Sequence, residues 1–105
     1  MRIKPGVSLL PLSPQILLAL IIVNSVFSKY KVELVITSVA DGKHNPKSLH
    51  YAGYAVDVRS KHIESDALKQ ALLEECKEAL DTDFDMILEA LGKEQEHYHL
   101  EFDTK

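Results

Sequence analysis

The sequence predicts an α+β fold: a small antiparallel sheet with two main helices packed on it. Three observations carry that reading. Four short segments are β-branched or alternate between apolar and polar residues, two longer ones carry helical apolar spacing, and turn-forming pairs separate them. With 105 residues the chain suffices for one domain and falls short of two, so residues 1–105 are read as a single domain. A composition of 46% hydrophobic and 27% charged residues excludes collagen-like, low-complexity and largely disordered chains.

The first element needs a decision. Arg2 and Lys4 followed by the apolar run ILLALIIV at 16–23 imitate a secretory signal peptide. That run is shorter than the ~20 residues a membrane span requires, and Pro11 and Pro14 interrupt its approach. Ser13 as N-cap and Pro14 as first helical residue are instead a standard helix start. The expectation is a helix over 14–28, apolar nearly all round and therefore buried in the core. Cleavage near Ser28 would remove that helix and leave a remnant short of core. A cleaved signal remains the alternative.

Residues 32–38 (VELVITS) read as a strand because β-branched side chains fit a pleated surface. Residues 39–49 contain Asp41-Gly42 and Asn45-Pro46, which mark a loop. Residues 54–59 form a second strand. Over 65–80, Leu68, Ala71, Leu72, Cys76, Ala79 and Leu80 lie at the spacing of an amphipathic helix. The single cysteine sits on that stripe, so it forms no internal disulfide and reads as a buried, inert thiol. Residues 84–89 (FDMILE) form a third strand, 92–96 a polar loop, and 97–102 (HYHLEF) a fourth strand.

Twelve basic against sixteen acidic residues give a net charge of -4, which argues against nucleic acid as a partner. So small a core needs another source of stability, and a bound metal is a common one. Five histidines make that worth following. Within 48–57 (SLHYAGYAVD), His50 ends the loop and Asp57 lies inside a strand, on the face opposite Val56 and Val58. A carboxylate in an apolar strand is costly unless a charge or metal compensates it. In the last strand, alternation places His97, His99 and Glu101 on one face and Tyr98, Leu100 and Phe102 on the other. Two imidazoles and a carboxylate there, with His50 and Asp57 nearby, are the ingredients of a zinc site. Three protein ligands and an open fourth position would make it catalytic.

Each part has a plainer reading. His44 and His62 fit solvated loop positions. Asp57 can pair with Arg59 or Lys61 at the surface. Glu101 can be an edge charge or a carboxylate that orients a histidine.

Ser48, His50, Gly53, Ala55 and Asp57 match S-x-H-x-x-G-x-A-x-D in full; Glu96 with His99 matches E-x-x-H, and His97 with His99 matches H-x-H. In this order, near the end of a small domain, the motifs resemble those of the zinc D-alanyl-D-alanine carboxypeptidase family. That family includes bacterial enzymes and phage endolysins, and shares its metal-site fold with lysostaphin-like peptidases and the hedgehog signalling domain. The resemblance covers most of the chain, from the first helix to HYHLEF, and is greatest to the short phage-type peptidases.

The resemblance implies zinc held by His50, Asp57 and His99, with a zinc-activated water attacking a peptide bond at a D-amino acid in bacterial peptidoglycan. For the general base it offers Glu96, as in E-x-x-H members, and His97, as in H-x-H members; both are carried, Glu96 first. Ser48 is expected to fix its loop beside the substrate, Gly53 to allow the turn into the strand, and Ala55 to leave room beside the metal. Many members place an arginine after the strand that corresponds to 32–38. None stands here, and Lys43 or Arg59 is the candidate replacement for holding substrate. Such a peptidase would act from the cytoplasm or on release at lysis, with a peptidoglycan peptide as partner and no membrane span. The alternative is a catalytically inactive zinc-containing module that binds cell wall or a protein partner.

Overall fold

Short strand segments alternate with capped helices in the order the sequence pattern implies. The computed structural model describes residues 1–10, 12–39 and 53–102. The chain runs β1 (Arg2–Ile3), α1 (Pro14–Lys29), β2 (Val35–Ser38), β3 (Ala55–Arg59), α2 (Asp66–Ala79), β4 (Phe84–Glu89) and β5 (His97–Phe102). Ser13 caps α1 by accepting from the Ile16 N–H at 3.3 Å, and Ser65 caps α2 by accepting from the Leu68 N–H at 3.1 Å.

The strands form one five-stranded sheet in the order β1-β2-β3-β5-β4. It is mixed, which corrects the expectation of an antiparallel sheet: β1 runs parallel to β2, while the other pairs are antiparallel. The parallel pair is possible because α1 supplies the crossover between its strands. Among the main-chain bonds that hold β1 are Arg2 N–H to the Leu34 carbonyl at 2.7 Å and Lys4 N–H to the Ile36 carbonyl at 2.9 Å. A two-residue strand has no side-chain period, so no pattern announces it.

Both helices cover one face of the sheet. Phe27 of α1 meets Tyr98 of β5 edge-on at 5.8 Å between centroids, and the Tyr98 hydroxyl donates to the Lys69 carbonyl of α2 at 2.7 Å. Ile16, Leu20, Val23, Leu34, Ile36, Val56, Val58, Leu72, Tyr98 and Leu100 fill the space between. Two expectations shift here. α1 is not buried all round: Leu18 and Ile21 face solvent at 58% and 62% exposure, because a helix lying on a sheet presents only one side to it. In α2 the buried positions are Lys69, Leu72, Leu73 and Cys76. Ala71 and Ala79 lie outside that stripe and are exposed, so the helix is rotated about one position from the expected stripe, and a lysine turns inward. Among the described residues, no helix is long and apolar enough to cross a membrane.

The opposite face of the sheet carries the chemistry. Register pairs Asp57 with His99, Arg59 with His97 and Ala55 with Glu101 across β3 and β5. On the other side of β5, Asp85, Ile87 and Glu89 stand opposite Glu101, His99 and His97. Directly opposed residues share a face, so these nine positions lie on one face, polar except at Ala55 and Ile87.

Candidate metal centre

Gly53 prepares the entry to β3. Its φ of +79° is a left-handed conformation open to glycine at little cost, and its carbonyl accepts from the Ser13 N–H at 2.9 Å. The turn into β3 is thus as expected. Ala55 is fully buried opposite Glu101, and two residues later Asp57 projects to the polar face.

Asp57 Oδ1 lies 2.9 Å from His99 Nδ1 and 3.6 Å from His97 Nε2. One ligand atom from each of Asp57, His97 and His99 falls within 4.8 Å of the others, close enough to share one ion. The three side chains are partly buried, at 20%, 26% and 17% exposure, so the ligand atoms are sheltered yet reachable. Oxygen and imidazole nitrogen are a donor set that suits zinc. By chemistry and spacing these residues fit a metal.

The rings are oriented by different partners. His99 Nε2 faces Glu101 Oε1 at 3.0 Å, so both its nitrogens meet carboxylates. Only an imidazolium donates from both nitrogens. The hydrogen bond to Asp57 therefore raises the His99 pKa, with a smaller contribution from Glu101, against the lowering effect of burial. A metal between Asp57 and His99 would replace that proton, leaving Glu101 as the carboxylate that orients the ring. His97 is oriented by main chain. Its Nδ1 lies 2.6 Å from the Gln95 carbonyl, an acceptor only, so Nδ1 donates and the ring is turned with Nε2 toward Asp57. Glu89 stands 3.9 Å from the same Nε2.

Glu96 does not join this group. Alternation holds through the start of β5, and the Glu96 carboxylate lies on the helix-covered face, its side chain only 2% exposed. It accepts from the Ser60 hydroxyl, from Lys69 Nζ at 2.9 and 3.1 Å, and from the Gly92 N–H at 3.0 Å. Burial alone would raise its pKa, but these donors outweigh burial and hold it down at about 2. Every contact directs Glu96 away from Asp57 and His99, which corrects its expected place beside the metal.

Arg59 stands on the polar face as the register partner of His97. Lys43, Ser48 and His50 lie outside the described residues, as does His44. His62 is exposed, its Nε2 2.7 Å from the Glu33 carbonyl, and takes no part in the cluster. A cleft of about 410 Å³ opens beside His99 and Glu101, lined by Phe84, Asp85, Met86 and Ile87 among others. Two participants escaped the pattern. The Gln95 carbonyl has no side-chain signature. Lys69 had one, since it stands three residues before Leu72 on the buried stripe.

No protein-family model, curated protein or solved structure matches the chain.

Proposed function

We propose that the protein is a zinc metallopeptidase hydrolysing a peptide bond at a D-amino acid in bacterial peptidoglycan, of the D-alanyl-D-alanine carboxypeptidase or endolysin type. The observation that carries the reading is the meeting of Asp57, His97 and His99 on one sheet face, each from a motif position of that family. Asp57 and His99 hold the metal, and the resemblance assigns the third ligand place to His50. Bound there, zinc supplies a Lewis acid that polarises a carbonyl and acidifies water. His97 is the general base: with Nδ1 donating to Gln95, its Nε2 is free to take up a proton. Glu101 keeps the His99 ring in place. Arg59 and the cleft beside His99 are the surfaces that receive the peptide.

The test is digestion of purified peptidoglycan by zinc-loaded protein, with mass spectrometry of the released peptides. Wild type should release a peptide or terminal D-amino acid. His97→Ala should keep zinc and lose roughly 100-fold or more in rate, the usual scale for a general base. Zinc-loaded wild type that releases nothing from any peptidoglycan type would transfer the reading to the binding module.

A further inference from the structure

Residues 90–96 form a turn under strain: Ala90 has φ +56° and Gly92 φ +80°, and Ala90 pays for a left-handed conformation that glycine adopts freely. Its internal main-chain bonds are Lys93 N–H to the Ala90 carbonyl at 2.9 Å and Glu96 N–H to the Lys93 carbonyl at 3.2 Å. The β4–β5 ladder closes the turn at Glu89 and His97, and a side-chain restraint is added by the Glu96 carboxylate. It ties the turn, through the Gly92 N–H, to Ser60 at the end of β3 and to Lys69 on α2. The turn in turn delivers the Gln95 carbonyl to His97 Nδ1. A chain of contacts therefore runs from a buried ion pair on one face of the sheet to a metal-site ring on the other.

We propose that Glu96 is a positioning residue for His97: clamped by Ser60, Lys69 and the Gly92 N–H, it holds the turn so that the Gln95 carbonyl fixes the His97 ring with Nε2 toward Asp57. The inference rests on His97 acting in the metal site, and it gives Glu96 a role other than proton transfer. A buried ion pair is a weak source of net stability, since desolvation of both charges offsets their attraction. Its strength is geometric definition. Here the geometry it defines is that of the turn preceding His97.

The test reads the ring directly, by long-range proton–nitrogen NMR of the His97 imidazole at mildly alkaline pH, in the full chain with and without added zinc. Wild type should show the Nδ1–H tautomer. Ser60→Ala removes one donor and keeps the ion pair; it should mix the tautomers partially. Lys69→Met with Glu96→Leu removes the clamp without leaving a buried charge, and should mix them further while leaving zinc binding, held by other residues, unchanged. Val23→Ala, which loosens the core at α1, should leave the ring spectrum unchanged. A folded double variant with the wild-type His97 spectrum overturns the proposal, as does an equal disturbance by Val23→Ala. If the double variant does not fold, Ser60→Ala decides, and an unchanged spectrum overturns it. Failure of wild type to bind zinc, with the tautomer changes as expected, overturns the metal reading and leaves the clamp standing.

Discussion

On the helix-covered face of β5, Glu96 meets Lys69, Ser60 and the Gly92 N–H; one residue later, on the other face, His97 and His99 meet Asp57, Glu89 and Glu101. The first group brings its own cation, and every carboxylate oxygen has a donor. The second surrounds two imidazoles with carboxylates, a donor set that takes up protons or a metal. A site that completes its own charge is closed to ligands, whereas one completed by an exchangeable cation is open to them. Burial marks the same division: the Glu96 side chain is 2% exposed, and Asp57 is 20% exposed.

The sharpest way to break this contrast is to unbalance the closed side. Lys69→Met leaves Glu96 buried without its cation and should cost about 3–5 kcal/mol, read by urea unfolding. Pairing it with Glu96→Leu should restore most of that loss. If the single variant were as stable as wild type, the ion pair would not be the closed unit described.

On the open side, Asp57→Ala should lose zinc and the stability that metal binding contributes, measured by elemental analysis and thermal unfolding. Full zinc occupancy in that variant would remove Asp57 from the ligand set.

The two faces should also part on a pH scale in zinc-depleted protein. Glu96 is held at about 2, below its ordinary 4.5, so its contribution is complete above pH 4.5 and fades as pH falls toward 2. His99 is raised above its ordinary 6.5, so its contribution is complete below pH 6.5 and fades as pH rises through the elevated value. Stability from these two groups should therefore be greatest between about pH 4.5 and 6.5, as denaturant midpoints across pH would record. Zinc competes with the His99 proton, so added zinc should flatten the alkaline limb alone.

The smallest effect belongs to Cys76. Burial, with a lesser push from Glu75, raises its thiol to about 12, so alkylation should proceed only through opening of the core. Its rate then reports that opening in every variant above. Rapid alkylation of native wild type would contradict the packing of α2 on the sheet.

Much of this was legible in the chain itself. The Ser13-Pro14 start of α1 and the alternation of HYHLEF are local signals, and local signals survive folding because backbone geometry sets them. The period of two in β5 by itself places His97 and His99 on one face and Glu96 on the other. The E-x-x-H spacing pulled the other way, since a sequence motif does not record which side of a sheet its first residue faces. The rotation of α2 that buries Lys69 depends on which side of the helix meets β4 and β5. One residue of phase, about 100° of turn, is within the ambiguity of any apolar stripe.

What the sequence determined by itself is the order and type of the main elements and, by strand periodicity, the sharing of one face of β5 by His97 and His99. Tertiary structure alone decided the parallel pairing of β1, the partner of Glu96, and the main-chain carbonyl that sets the His97 tautomer. The physical reason is separation along the chain. Glu96 and Lys69 stand 27 residues apart and Asp57 and His99 stand 42 apart, and only the packed sheet fixes which charges become neighbours.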